Sequence, residues 1–264
     1  MYISQLYQYP VKSLKGREMS SMEIDDFGPK WDRRWMLVDE KGRFVTQRQC
    51  PKMGQVGVTV LLDKVVFDFQ QETQSLSLDQ AQGSTTQKLV NVWDDAVLGN
   101  PVEHEVNQWL SDKLQRHVQL IFMPQATLRQ VDTEFAQQGD RVSFADGFPF
   151  LILSEASIEF MSEKVGFELS PLRFRPNILV SGCEAFAEDA WKRIAIGDIE
   201  FEIVKPCSRC VIPTLDLATS EKQPEVMKAL LAHRKQGKHV MMGQNAIHRQ
   251  LGDITVGQEV KVLA

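Results

Sequence analysis

Cysteine is scarce. Four thiols in 264 residues cannot staple a chain of this size, which excludes a disulfide scaffold and points to a reducing compartment. Long hydrophobic runs are also missing. No segment approaches the roughly 20 apolar residues of a membrane helix. Residues 1–6 start straight into strand-like alternation, without the charged-then-apolar layout of a signal peptide. The expected location is therefore the cytoplasm, with no membrane partner. Positive charge is not in excess: 30 Lys and Arg against 35 Asp and Glu leave a net charge of −5. That argues against a nucleic-acid partner, whose phosphates need a broad basic surface, but leaves room for a small anion held by a local cluster of Arg and Lys. No G-x-G-x-x-G or Walker-type loop occurs, which counts against nucleotide binding, and no internal repeat is present.

What is present is a chain long enough for one large or two medium domains. The first hundred residues read mostly as strands. Residues 2–8 alternate, residues 34–38 and 43–46 flank the turn signal Asp39-Glu40-Lys41-Gly42, and 56–61, 65–69 and 75–78 continue at the short spacing of a barrel or sandwich. Residues 70–87 read as a loop around a short strand. A helix is expected over residues 100–115, capped by Asn100 with Pro101 in its first turn and Val102, Val106, Trp109, Leu110 and Leu114 as its apolar stripe. The polar stretch 123–139 reads as a connection, placing a boundary near residue 120 between domains 1–120 and 121–264. In the second half, helices are expected at 154–165 and 224–234, and strands at 177–180, 194–196, 199–204 and 256–263. The count gives a mainly β (α+β) fold class: two β-barrel-like domains with peripheral helices.

The stretch with most chemical potential is Lys205-Pro206-Cys207-Ser208-Arg209-Cys210. It follows the alternating run 199–204, and Pro206, which cannot donate to a ladder, is expected to end that strand and leave both cysteines on a loop. Three readings are open. Both cysteines could be buried small hydrophobes. They could form a zinc half-site completed by His233 and His239. Or one could be a thiolate favoured by Arg209 and Lys205, suited to a soft metal. Elsewhere Lys12, Ser13, Arg33, Arg34, Arg48, Arg173 and Arg175 are candidates to converge on a phosphorylated cofactor, since arginine pairs bidentately with phosphate and keeps its charge. The plainer reading of each alone is a surface charge. Asp216 reads first as a turn cap, and His104, His117 and His248 as structural or surface groups.

Taken together, the motifs resemble the MOSC superfamily, in the branch with an N-terminal MOSC-associated β-barrel that includes mitochondrial amidoxime-reducing components and YcbX-type bacterial proteins. The matching stretches are Tyr9-Pro10-Val11-Lys12-Ser13-x-Lys15-Gly16, Asp32-Arg33-x-Trp35-x-Leu37-Val38, Val45-Thr46-x-Arg48-Gln49, Pro149-Phe150-Leu151-Ile152-Leu153-Ser154-Glu155-Ala156-Ser157, Phe174-Arg175-Pro176-Asn177-Ile178, Cys207-Ser208-Arg209-Cys210, Gly243-Gln244 and Val256-Gly257. They span nearly the whole chain in family order.

The resemblance implies a MOSC fold in the C-terminal half and a molybdenum cofactor between the halves: a pterin dithiolene ending in a phosphate, its metal ligated by one protein cysteine. That ligand matches Cys210. Lys12, Ser13, Arg33 and Arg175 match positions that hold pterin and phosphate. Asp146, Gly147 and Phe148 match the loop that wraps the cofactor, Ser208 and Arg209 flank the ligand, and Asn245 stands where some relatives carry a tyrosine near the metal. The implied activity is reduction of N-hydroxylated small molecules such as hydroxylamines, amidoximes and N-hydroxylated bases. The alternative is a cofactor or sulfur carrier. At superfamily level the resemblance also carries pyridoxal phosphate binding. Three departures stand out. Leu217 follows Asp216 where relatives often have proline, and Gly147-Phe148 replace polar loop residues. The chain also stops at Ala264 without the cysteines of an iron–sulfur domain. Electrons are therefore expected from a separate ferredoxin- or flavin-type reductase.

Overall fold

The computed structural model describes residues 1–264. The fold is mainly β, with its few helices peripheral. A nine-stranded sheet runs in spatial order Val260–Val262, Arg193–Ile196, Ile199–Ser208, His239–His248, Phe150–Ser154, Ile178–Ser181, Tyr2–Gln8 and Arg17–Met19, with Lys235–Gln236 pairing off His239–His248. Its pairings are antiparallel except Phe150–Ser154 with Ile178–Ser181. Helix Glu155–Val165 makes that parallel crossover, as parallel neighbours require. Ser154 caps it by accepting from the Ser157 amide, and Gly166 closes it in the left-handed region. A four-stranded sheet (Trp35–Val38, Gln119–Phe122, Asp95–Pro101, Lys88–Val92) and two three-stranded ones complete the framework. No helix is long and apolar enough to cross a membrane.

Residue 120 falls inside strand Gln119–Phe122, and the first strand, Tyr2–Gln8, lies in the large sheet beside Ile178–Ser181. Ser21–Asp25 likewise pairs with Gly252–Thr255. The chain thus starts in the C-terminal lobe before building the other one. Each lobe has its own core. One of 21 buried residues gathers around Trp35, Phe67, Leu110 and Phe122, and one of 16 around Ile3, Phe150, Ile194 and Phe201.

Four local expectations are corrected. The helix begins at Val106, not Asn100. Asn100 and Pro101 finish a strand opposite Phe122 and Ile121, and the first helical N–H is taken by His104 Nδ1 at 3.1 Å. The stretch 70–87 contains a six-residue strand, Glu72–Ser77, and a short helix, Leu78–Ala81, begun by a Ser77–Gln80 capping box. The closing strand is two strands, Gly252–Thr255 and Val260–Val262, split by a turn at Gly257 (φ 86°). Pro206 does not end its strand, which runs through to Ser208. Beyond Glu202 this strand has lost its Arg193–Ile196 neighbour and pairs only with His239–His248, with a register shift between Pro206 and Ser208. A missing N–H on an open edge at a bulge leaves no ladder bond broken.

Candidate functional site

One cavity of about 400 Å³ gathers the residues that the family resemblance picked out: Lys12, Ser13, Arg33, Asp146, Gly147, Phe148, Arg175, Ser208, Arg209, Cys210 and Asn245 all line it. Its walls come from both lobes, and residues more than 130 positions apart touch across it. Lys12 Nζ donates to Phe144 O at 2.8 Å and to Asp146 Oδ1 at 2.5 Å.

The cationic wall is built on Tyr9. This side chain is fully buried, and its hydroxyl donates to Pro176 O at 3.0 Å. The guanidinium carbons of Arg33 and Arg175 each lie 4.2 Å from its ring centroid, a cation–π arrangement that orders both. Gly16 permits the packing, because a Cβ there would stand 2.2 Å from the ring. Asp32, 2% exposed, pairs with Arg33 and accepts from the Tyr9 amide at 2.8 Å and Asn177 Nδ2 at 3.2 Å. Arg175 Nη1 donates to Leu14 O at 2.7 Å, while its Nη2 is buried without a partner. Ser13, Arg33, Trp93 and Arg175 all adopt positive φ, at 65°, 48°, 55° and 57°. Non-glycine residues in this region carry strain, and here the four share one cavity.

Electrostatics follow from enclosure. Burial pulls the Lys12 ammonium down to about 8, with Asp146 partly opposing it. Asp146 faces into the cavity, its side chain 77% exposed. Enclosure by the walls works to raise its carboxyl, but the Lys12 ammonium and the Trp93 N–H, at 3.1 Å, outweigh that and hold it well below the usual carboxylate range. Arg175 is pushed down to about 10 by burial and then by its neighbour Arg33. Burial raises the Asp32 carboxyl despite Arg33.

The two cysteines separate in role. Burial pushes the Cys207 thiol up, partly offset by Arg209, whose Nη1 donates to Cys207 Sγ at 3.2 Å. Arg209 also donates to Phe174 O, and its Nε is buried without a partner. Cys210 is the exposed thiol, facing the cavity just past the strand. Asn245 donates to Lys205 O at 3.2 Å, Phe148 packs edge-on against Phe135, and Gly147 leaves open space where a side chain would stand. No three His, Cys, Asp or Glu side chains gather to hold a metal, and His233 instead packs against Phe160. This removes the zinc reading.

Arg48 and Arg173 also line the cavity, but Arg34 does not: it is buried on Phe27 and donates to Met123 O. Sequence reasoning gave no role to Tyr9, Asp32 or Trp93. Trp93 has no sequence signal, since its place depends on a hairpin folding over to Asp146. Asp32 and Tyr9 stood inside quoted motifs, next to Arg33 and two positions before Val11.

Residues 1–117 match the family model described as the MOSC N-terminal beta barrel domain, and residues 139–261 that of the MOSC domain. Mitochondrial amidoxime-reducing component 1 of Mus musculus is 31% identical over 99% of this chain and 82% of its own length, and the Homo sapiens protein of that name gives the same figures. The molybdenum cofactor sulfurase of Drosophila melanogaster is 29% identical over 86% of this chain and 29% of its own length. Among solved structures, the YuaD protein of Bacillus subtilis superposes with a TM-score of 0.47 at 14% identity, covering 98% of this chain and 93% of that one. With both domain models matched in order and relatives aligned over nearly all of this chain, the chain belongs to the MOSC family, in the branch that carries the MOSC N-terminal β-barrel domain.

Proposed function

We propose that this chain is a molybdenum-cofactor-dependent oxidoreductase that reduces N-hydroxylated small molecules, hydroxylamines, amidoximes and N-hydroxylated bases, to the corresponding amines, amidines or imines. One observation carries the reading: a single cavity sets the exposed thiol of Cys210 against a cationic wall drawn from both lobes. The residues fit the group. Arg175 Nη2 and Arg209 Nε are buried donors without partners, which suits an anion, since an unsatisfied buried donor otherwise costs about 1–3 kcal/mol. An open thiol suits a soft metal.

In this reading Lys12, Ser13, Arg33 and Arg175 hold the pterin and its phosphate, with Tyr9 fixing the two guanidiniums. Asp146, Gly147 and Phe148 wrap the cofactor, Ser208 and Arg209 flank the ligand, and Cys210 binds molybdenum. When bound, the cofactor supplies the two-electron chemistry, and the protein supplies position and charge. Each turnover takes two electrons and two protons, converting N–OH to N–H and water. Asn245 offers a rim amide to the substrate, and the electrons come from a separate reductase of the ferredoxin or flavin type in the cytoplasm.

The test is molybdenum and pterin analysis of protein from a cofactor-competent host, followed by amidoxime reduction with an added reductase. Stoichiometric metal in wild type, lost in Cys210→Ser, with turnover of the N-hydroxylated substrate, supports the reading. Loaded protein that leaves such substrates untouched ends it. A second reading, cofactor or sulfur carriage without turnover, draws on the likeness to the molybdenum cofactor sulfurase. It requires a labile sulfane sulfur on Cys207 or Cys210.

A further inference from the structure

The cavity has more positive charge than a cofactor phosphate can use. Seven cations line it against one carboxylate, Asp146, in a protein whose net charge is −5. Three cations are neutralised inside the fold: Lys12 by Asp146, Arg33 by Asp32 and Arg173 by Asp216. Four have no carboxylate partner: Arg48, Arg175, Lys205 and Arg209. A terminal phosphate carries at most about two negative charges, and the two half-buried arginines with orphaned nitrogens, Arg175 and Arg209, are placed to meet it.

Arg48 is of a different kind. It is exposed, and it makes no ion pair and no hydrogen bond within the chain. Its guanidinium instead lies over the indole of Trp93, 4.5 Å from the ring centroid. The indole is itself fixed from three sides. Its N–H donates to Asp146 at 3.1 Å, its ring packs on Phe44 at 5.2 Å, and the hairpin carrying it is anchored two residues on, where Asp95 accepts from Arg129 Nε at 2.7 Å. Arg129 is 5% exposed, and its other end donates to Ala145 O at 2.6 Å, beside Asp146. A stacked guanidinium loses little freedom on binding and keeps its N–H edge free for a bidentate oxyanion.

We propose that Arg48, stacked on Trp93, is a substrate-selecting subsite, and that the preferred substrates are N-hydroxylated compounds bearing a carboxylate or phosphate group. The proposal rests on the reduction reading above and names its substrate class. Arg48 pairs with the oxyanion of the substrate's far end and so orients the N–OH group toward the Cys210 side of the cavity. A free cation in a site walled by protein also draws anionic substrates in from solution.

The experiment uses cofactor-loaded enzyme and matched probes: benzamidoxime, its 4-carboxy derivative and its 4-phosphonomethyl derivative. The corresponding amidines serve as unreactive ligands for calorimetry, so that binding is read without turnover. Wild type should favour the anionic members in both KM and Kd. Arg48→Gln should shift the anionic-to-neutral ratio at least tenfold, the effect of losing one charge-assisted hydrogen bond, while keeping its molybdenum. Whichever of carboxylate or phosphonate responds more identifies the natural group. Equal changes for neutral and anionic probes, or no anionic preference in wild type, overturn the proposal. Loss of molybdenum from Arg48→Gln overturns it too, by assigning Arg48 to the cofactor. If wild type reduces no amidoxime, the reduction reading fails while calorimetry still decides the anion preference.

Discussion

Lys12 and Asp146 meet across the cavity at 2.5 Å, 134 residues apart in sequence, and this pair makes anion binding depend on pH. Burial has drawn the lysine from 10.5 to about 8. Below that value it is charged and attracts a phosphate; above it the ammonium is lost. Cofactor retention should therefore weaken as pH rises through about 8, by up to tenfold per pH unit for one coupled proton. Stability of the cofactor-free fold has the opposite sign. A lysine depressed in the folded state holds fewer protons there than in the unfolded chain, so stability rises between about 8 and 10.5. Dialysis at pH 6.5 to 9.5 followed by molybdenum analysis checks the first statement, and thermal melts check the second. A flat retention profile would refute the role given to Lys12.

Cys210→Ser and Cys207→Ser should differ cleanly. Cys210 is exposed at the rim, so its loss should change stability by no more than about 0.5 kcal/mol while abolishing metal retention. Cys207 is enclosed, with its thiol raised by burial and facing Arg209. A serine there can still accept from the guanidinium, so metal should be kept. Metal content and melting curves of the two variants decide this, and equal metal loss in both would make the two cysteines a joint ligand pair.

Arg33 and Arg175 share the Tyr9 ring but should fail differently. Arg33→Ala leaves Asp32 buried and unpaired, a defect that typically costs about 3–5 kcal/mol. Arg175 has no carboxylate partner and gives up one bond, to Leu14 O. Arg175→Ala should thus cost only about 1–2 kcal/mol of stability yet reduce pterin retention tenfold or more. Urea denaturation paired with pterin release separates the two. Similar stability losses would mean that Asp32 finds another partner.

These contrasts show which parts were legible in the sequence. The motif residues were, because Lys12, Arg33, Arg175 and Cys210 sit in short contiguous patterns, and all of them reach one cavity. What supports them was not. That Asp32 is anchored by the Tyr9 amide and by Asn177, and that Asp146 binds both Lys12 and Trp93, depends on pairings made only when distant strands meet. The strand running through Pro206 was hidden for a related reason: proline forbids a ladder bond only where a ladder bond is wanted, and the strand has already lost one neighbour there. Asn100-Pro101 carries good helix-start chemistry, yet pairing with Ile121 and Phe122 overrode it. The first strand's place in the far lobe follows from its match to Ile178–Ser181, a partner some 170 residues away.

Asp146→Asn offers the sharpest check on the electrostatics. The carboxylate raises the Lys12 ammonium against the larger effect of burial. Removing the charge while keeping an oxygen for the Trp93 N–H should let the lysine fall further below its present value of about 8. The fold around Trp93 should persist, because the amide oxygen can still accept the indole hydrogen. The pH at which cofactor retention declines should then move down, with the step otherwise unchanged in steepness, since one proton is still coupled. Repeating the retention profile on this variant decides the matter. A purely structural role for Asp146 would lower retention equally at every pH and leave the midpoint in place; only a direct charge effect on Lys12 displaces it to lower pH.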